Sequence, residues 1–193
     1  MGAKAKLKKI GRYILSNLGR PVYVEQSLRK DGDMLAGRCV VVTGATSGIG
    51  FAIATACLRA GANVVVTSRD VGRAEDACKR LGGGYPARLD LSDAESIPCQ
   101  IDELSRLLPA PIDALVNNAG ILKGSTFGRT KISDFDDVVA TNLRGTYFLT
   151  QEVARRMVKG GIRGNILFIT SSSAYRPAIN VYSCTKWALR GLV

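Results

Sequence analysis

The sequence predicts an α/β fold in which a doubly wound parallel sheet is covered by helices on both faces, giving three α/β/α layers. From Arg38 onward, short runs of Val, Ile and Leu alternate with longer amphipathic stretches. The short runs, such as VVV at 64–66, are apolar at every position, which is typical of strands buried on both faces. The chain has 193 residues, 46% of them hydrophobic, so it can bury one sizeable core.

Five strands and the helices between them follow from this alternation. Strands are expected at 39–43, 63–68, 85–90, 114–117 and 165–170. Helices are expected at 49–60, 72–81, 94–108, 135–143 leading into 148–158, and from 181 onward. Repeated strand–helix–strand units build a parallel sheet. The pattern therefore predicts one domain over residues 38–193.

Residues 1–37 are expected to be a basic extension of this domain. Residues 1–38 hold nine Lys or Arg and three Asp or Glu, a large share of the net charge of +11. The apolar residues at helical spacing here are Leu7, Ile10, Ile14, Leu15 and Leu18. They predict a short basic amphipathic helix over 7–18. We expect this helix to pack on its own domain or subunit. The alternative is that it attaches the protein to an anionic membrane surface or to a partner.

Composition excludes several classes of function. The chain has no His, which excludes Ser-His-Asp hydrolysis and His-ligated metal sites. Its five Cys are scattered without a Cys-x-x-Cys pair, which argues against zinc or a disulfide framework and favours the reducing cytoplasm. No apolar run approaches the length of a membrane span. The positive charge is not interleaved with aromatic residues, so no nucleic-acid partner and no metal are expected.

A glycine-rich turn follows the first predicted strand. In TGATSGIG, at 43–50, the glycines have the spacing G-x-x-x-G-x-G between a buried strand and a helix. Such glycines allow a sharp turn and a close approach to a pyrophosphate, which the N–H groups of the helix N-terminus bind. The expected contacts are Thr43, Gly44, Ser47, Gly48, Ile49 and Gly50. A purely structural loop is the alternative, but the context favours a dinucleotide-binding, Rossmann-type domain.

The end of the second strand indicates which dinucleotide binds. An acidic residue there accepts a hydrogen bond from the ribose 2′-OH of NAD, whereas a basic one neutralises the 2′-phosphate of NADP. The strand ends in Ser68 and Arg69, which favours NADP(H) over NAD. The alternative is that Arg69 only solvates the strand end, and Asp70 stands beside it.

Five motifs in order resemble the short-chain dehydrogenase/reductase family. They are TGATSGIG at 43–50, NNAG at 117–120, Asn142 in TNLRG, the serine run after the fifth strand, and Tyr182-x-x-x-Lys186. The match extends over residues 38–193. The resemblance implies an NADP(H)-dependent oxidoreductase that interconverts a small carbonyl and a secondary alcohol by hydride transfer.

The resemblance also implies the catalytic roles. Tyr182 would be the general acid/base, and Lys186, one helical turn away, would stabilise the phenolate of a group that titrates near ~10 in water and would bind the nicotinamide ribose. Ser171 would polarise the substrate oxygen. Ser172 and Ser173 are alternatives, because the loop before Tyr182 is shorter than in many members. Asn142 would kink its helix and help hold a water in a proton relay, with helix capping as its alternative.

The adenosine side of the cofactor is expected to contact two further segments. Asn117, Ala119 and Gly120 would stabilise the central sheet and face the adenosine, with Asn117 largely structural. Asp90 resembles the family residue that meets the adenine ring.

Family members continue past the Tyr-Lys helix, in which this chain ends. The resemblance therefore implies a sheet without its last strands, and an apolar fifth strand left at an exposed edge unless something covers it. A partial sequence of an intact enzyme, often a homodimer or homotetramer in this family, is one explanation. A catalytically silent dinucleotide-binding or scaffold fragment, attached through its N-terminal helix, is the rival hypothesis.

Overall fold

The computed structural model describes residues 31–124 and 126–193. Within these ranges a 3₁₀ helix at Asp31–Asp33 precedes five strands. These are β1 (Cys39–Val42), β2 (Asn63–Ser68), β3 (Tyr85–Arg88), β4 (Ala114–Asn117) and β5 (Asn165–Phe168). The α-helices are α1 (Gly48–Arg59), α2 (Val71–Leu81), α3 (Ile97–Ser105), α4 (Ile132–Val139), α5 (Thr146–Lys159) and α6 (Val181–Leu192). A π-helical turn at Ala140–Gly145 joins α4 to α5, and a 3₁₀ helix at Ser172–Tyr175 precedes α6.

The strands form one parallel sheet in the order β3-β2-β1-β4-β5. Asp113, just before β4, helps to set the register between β4 and β1. Its carboxylate pairs with Arg38 at 2.6 Å and accepts the Cys39 N–H at 2.9 Å. The chain builds outward from β1 in one direction and then crosses to β4 on the other side. Such a reversal opens a crevice at the carboxyl ends of β1 and β4, where doubly wound folds bind ligands.

Each face of the sheet has its own apolar core. Val41, Val65 and Leu115 face α3 and α5. Their neighbours Val40 and Val64 face the opposite side, where α1 and α2 cover them. Successive strand residues point to opposite faces, so a run that is apolar throughout needs a cover on both. The predicted three-layer, doubly wound α/β/α fold is confirmed.

The element boundaries differ from the predicted ones by a few residues. Strands β1, β3 and β5 each end one or two residues early. The third helix was expected at 94–108 but begins at Ile97, because Pro98 lacks an N–H and fits only the first turn. The fourth begins earlier than expected, at Ile132, and its predicted end is the π-helical turn.

The fifth strand is partly uncovered in the described part of the chain. There β5 pairs with β4 along one edge, and Leu167 keeps 49% of its surface exposed. This agrees with the expected apolar edge.

Three other expectations concern the N-terminal extension, the cysteines and membrane-spanning helices. The predicted amphipathic helix over 7–18 lies outside the described residues. All five cysteines lie inside them, and each is a free thiol. Over residues 31–124 and 126–193, none of the helices has the length and apolar character needed to cross a bilayer.

Candidate functional site

A cleft of about 390 Å³ opens at the carboxyl ends of the central strands. It brings together most of the residues predicted to contact a dinucleotide. Those that line it are Thr43, Gly44, Ser47, Ile49, Gly50, Ser68, Arg69, Ala119 and Gly120. Gly48 lies between two of them on the same turn. The residues that were predicted from three separate motifs are thus neighbours in space.

The glycine turn has the shape that a pyrophosphate requires. Gly44 and Gly48 have left-handed φ angles of 62° and 56°, which disfavour any residue with a side chain. A Cβ at Gly50 would lie 2.5 Å from the Gly44 carbonyl oxygen and would also strike the Asn118 amide. Ser47 precedes α1 in an extended conformation, and its side chain makes no capping bond within the described residues. The N–H groups of the first turn therefore remain available to an anion.

Asn118, which the sequence analysis did not single out, locks this turn to β4. Its Nδ2 donates to the carbonyls of Thr43 at 2.8 Å and Gly44 at 3.1 Å. In return the Thr43 hydroxyl accepts the N–H groups of Asn118 and Ala119 at 2.9 and 2.8 Å. The sequence offered one indication of this role, the position of Asn118 as the second residue of NNAG. Its bonding partners could not be predicted, because they lie about 75 residues away in the chain.

Two arginines line the end of the cleft beside β2. Arg69 follows the strand, and Arg73, which the sequence analysis missed, lies one turn later on α2. Asp70 forms no ion pair with either of them, and its carboxylate instead accepts the Gly72 N–H at 2.9 Å and caps α2. Neither arginine forms an ion pair with another part of the chain that the structure describes. This end of the cleft is therefore positively charged. Basic residues spaced i and i+4 were the sequence signal for Arg73.

Asp90 and Asn117 lie beside the cleft, outside its lining among the described residues. The Asp90 carboxylate accepts the N–H and hydroxyl of Ser92 at 3.0 and 2.6 Å. Asn117 donates to the Thr150 hydroxyl at 3.0 Å and so connects β4 to α5. The structural role of Asn117 is visible here, whereas the cofactor contacts of both residues stay predictions.

Tyr182 and Lys186 share one face of α6. Asn180 caps this helix by accepting the Ser183 N–H at 2.9 Å, which places Tyr182 in the first turn. The Lys186 Nζ lies 5.5 Å from the centroid of the Tyr182 ring. The lysine is 3% exposed, and its Nζ donates to the Ile169 carbonyl at 2.6 Å. Burial lowers the pKa of Lys186. The aromatic ring of Tyr182 thus lies beside an amine that is almost inaccessible to solvent.

Asn142 connects the cleft to this helix. It is 1% exposed and lies in the π-helical turn, where the resemblance predicts a kink. Its Oδ1 accepts the Ile121 N–H at 2.8 Å and its Nδ2 donates to the Ile121 carbonyl at 2.9 Å. The same Nδ2 reaches the Thr185 hydroxyl on α6 at 3.4 Å. Ile121 lines the cleft, so one buried side chain joins the cleft wall to the helix that carries Tyr182 and Lys186.

Ser171 lies at the start of the 3₁₀ helix before α6. Its hydroxyl oxygen accepts the Ser173 N–H at 3.1 Å and caps that helix. Ser172 is exposed, while Ser171 and Ser173 are half-buried. The identity of the serine that meets a substrate oxygen stays a prediction.

The pKa of Lys186 predicts a pH dependence of stability. In water the amine has its ordinary pKa of 10.5, and burial lowers this pKa in the folded chain. Between the two values the unfolded chain binds more protons, so the free energy of unfolding rises with pH in that window. We expect the free energy of unfolding of the wild type minus that of Lys186→Met to increase as the pH rises toward 10.5.

Urea denaturation at several pH values measures this difference. Lys159→Met, which removes an exposed lysine at the end of α5, should leave the pH slope unchanged. A difference that decreases with rising pH would mean that the folded environment raises the pKa of Lys186.

Comparisons with known proteins place this geometry in context. A family model described as "short chain dehydrogenase" matches residues 38–193. Gluconate 5-dehydrogenase of Gluconobacter oxydans (strain 621H) is 34% identical over 164 residues, which cover 82% of this chain and 63% of the relative. An NADP-dependent (R)-specific alcohol dehydrogenase of Lentilactobacillus kefiri is 32% identical over 162 residues, 82% of this chain and 64% of that protein.

Solved structures have the same fold. A short chain dehydrogenase from Escherichia coli CFT073, complexed with NADPH, superposes with a TM-score of 0.76 at 25% identity, over 84% of this chain and 71% of that one. The chain spans less than two thirds of the length of the two curated relatives described above.

Proposed function

Because this chain belongs to the short-chain dehydrogenase family, we propose that it acts as an NADP(H)-dependent oxidoreductase that interconverts a carbonyl and a secondary alcohol. The observation that carries the proposal is the Tyr182–Lys186 pair on one face of α6, joined through Asn142 to a cleft with an uncapped glycine turn. The phenol can exchange a proton with a substrate oxygen, and the cleft can hold the dinucleotide.

The cleft residues fit the cofactor in two respects. The open N–H groups at the start of α1 suit the pyrophosphate. Gly50 permits the close turn, because any side chain there would collide with the Gly44 carbonyl and the Asn118 amide. Ser68, Arg69 and Arg73 suit a 2′-phosphate, because they line the cleft and neither arginine forms an ion pair with an acid of the described chain. A relative named as NADP-dependent and a structural neighbour that binds NADPH support this choice. When bound, the cofactor supplies or accepts the hydride.

The protein's own residues would handle the proton. In the reducing direction, Tyr182 gives its hydroxyl proton to the substrate oxygen as the alcohol forms, and it takes the proton back in the oxidising direction. The Lys186 ammonium stabilises the phenolate that results, and a nearby phenolate in turn opposes the lowering of the lysine pKa by burial. Ser171 would polarise the substrate oxygen. Asn142 holds the helix geometry and would help to return protons from solvent.

An NADPH titration followed by an assay over a panel of carbonyl compounds tests the proposal. Binding of NADPH with turnover supports it. The rival, a catalytically silent dinucleotide-binding or scaffold fragment, predicts no turnover of any compound in the panel. Failure of this chain to bind either dinucleotide would contradict the oxidoreductase and also the dinucleotide-binding form of the rival.

The preference for NADPH gives a sharper prediction. Arg69→Ala and Arg73→Ala should each raise the Kd for NADPH by about tenfold, because a charge-assisted hydrogen bond to phosphate is worth roughly 1.5–3 kcal/mol. The Kd for NADH, which has no 2′-phosphate, should stay within about twofold. Arg59→Ala is the matched control, since it removes an exposed arginine at the other end of α1. Equal losses for both dinucleotides would contradict the assignment.

The remaining features are part of the same proposal. Residues 38–193 form the dinucleotide-binding domain and residues 1–37 a basic extension. The substrate is a small carbonyl or alcohol, the protein assembles as a homodimer or homotetramer, and it works in the cytoplasm. Analytical ultracentrifugation tests the assembly.

A further inference from the structure

Arg80, near the end of α2, reaches across to the glycine turn. Its Nη1 donates to the Thr46 carbonyl at 3.4 Å, over a separation of 34 residues. Its guanidinium carbon lies 4.4 Å from the centroid of the Phe51 ring. Thr46 precedes the uncapped start of α1, and Phe51 lies in that helix three residues after Gly48. One side chain therefore contacts both ends of the segment 46–51.

The contact with Thr46 orients a peptide that the cleft uses. In a trans peptide the C=O and the following N–H point in opposite directions. When Arg80 holds the Thr46 carbonyl, the N–H of Ser47 is turned to the other side of the chain. Ser47 lines the cleft, and its neighbours begin the helix whose first N–H groups remain open.

The two contacts of Arg80 offset part of the conformational entropy that the glycines lose when the turn is ordered. Gly44 and Gly48 allow the turn, but glycine loses more conformational freedom than any other residue when it is ordered. A guanidinium stacked on Phe51 and bonded to Thr46 restricts the turn before any ligand binds. Less conformational entropy of the turn is then lost when the ligand binds, which increases the affinity of the site for the ligand.

We propose that Arg80 is a positioning residue that holds residues 46–51 in the conformation that binds pyrophosphate. The inference rests on the proposed function of the cleft as a dinucleotide site. Arg80 differs from Arg69 and Arg73, which line the cleft, because its guanidinium contacts Thr46 and Phe51 instead. It therefore acts on the part that NADPH and NADH share.

Two substitutions with one matched control test this role. Arg80→Gln removes the charge and the stacking, and Phe51→Leu removes the ring on which Arg80 lies. Lys79→Gln removes the neighbouring exposed cation, whose contact is with Asp76 on the same helix. These three variants, the conservative variant Arg80→Lys and the wild type are titrated with NADPH and with NADH, and their thermal midpoints are measured without cofactor.

We expect Arg80→Gln to raise the Kd for both dinucleotides by about fivefold to tenfold, the effect of losing one cation–π contact and one hydrogen bond. Phe51→Leu should have a smaller effect in the same direction, and Arg80→Lys should recover part of the loss. The KM for the cofactor should rise while kcat stays the same. A loss confined to NADPH would show that Arg80 binds the 2′-phosphate and would overturn the proposal, as would a Kd equal to that of Lys79→Gln.

Hydrogen exchange of the cofactor-free protein gives a readout independent of binding. Amides of residues 44–51 should exchange faster in Arg80→Gln than in the wild type, with unchanged rates in the strands. Equal rates in this segment would overturn the positioning role. If the wild type binds neither dinucleotide, the proposed function fails, and the exchange rates still decide whether Arg80 orders the turn.

Discussion

Replacing Tyr182 by Phe should lower kcat by at least about a hundredfold, while the Kd for NADPH stays within about twofold. The substitution removes only the hydroxyl that exchanges the proton, and general acid–base catalysis contributes roughly 10²- to 10⁴-fold. The ring remains, so the packing beside Lys186, whose Nζ lies 5.5 Å from its centroid, is retained. Steady-state rates with the best substrate of the carbonyl panel, together with a fluorescence titration of NADPH, measure the two quantities separately.

Tyr147→Phe is the matched control for this experiment. Tyr147 is an exposed tyrosine on α5 that packs edge-to-face on Phe148, away from the cleft lining. Its loss of a hydroxyl should leave both kcat and the Kd unchanged. Full activity of Tyr182→Phe would refute the acid/base role, and a large rise in its Kd would mean that the tyrosine acts in binding instead.

Replacing Gly145 by Ala should destabilise the protein by about 3 kcal/mol or more, the range of severe overpacking. Gly145 ends the π-helical turn, and an added Cβ would strike the Leu91 carbonyl oxygen and lie 2.7 Å from the Leu91 carbonyl carbon. Both are backbone atoms, so relief requires a shift of the turn relative to the segment after β3. Leu91 lines the cleft, and we therefore also expect weaker NADPH binding in any folded fraction.

Gly191→Ala provides the comparison for this substitution. Gly191 lies in the last turns of α6, and a Cβ there would meet no atom within 4 Å. Alanine forms helix better than glycine by about 1 kcal/mol, so this variant should be as stable as the wild type or slightly more stable. Urea denaturation of the two variants beside the wild type decides the matter. A Gly145→Ala protein within about 0.5 kcal/mol of the wild type would show that the turn can shift freely.

The strands show how far the sequence could predict the fold. Each of the five strands of the described chain begins at the residue expected. The central strands β1, β2 and β4 are largely buried on both faces and give nearly unbroken apolar runs, whereas the edge strands β3 and β5 are only partly buried. The helix ends were less accurate, since amphipathic periodicity fades gradually and the stop signals are weak. The π-helical turn at Ala140–Gly145 was not foreseen as such, although a kink at Asn142 was. A π turn is stabilised by contacts beyond its own segment, such as those of Asn142 with Ile121 and Thr185.

The site divides in a similar way. The glycine turn, Ser68 and Arg69 were predicted and lie together in one cleft. Arg73 and Asn118 were missed, because a surface arginine and an amide in a loop carry no chemical signature until a fold places them. Asp70 raised doubt about the charge beside Arg69, and the structure shows that its carboxylate caps α2.

The sequence by itself determined the parallel three-layer architecture, the glycine turn and the one-turn spacing of Tyr182 and Lys186. Each of these is a local pattern of residue types, and the physics that produces it acts over a few residues. Only the tertiary structure decided that Lys186 is buried against Ile169, that Asn118 locks the turn at Thr43, and that Gly145 meets Leu91. These contacts join residues 17, 75 and 54 positions apart. They depend on strand register and helix packing, which no local pattern specifies.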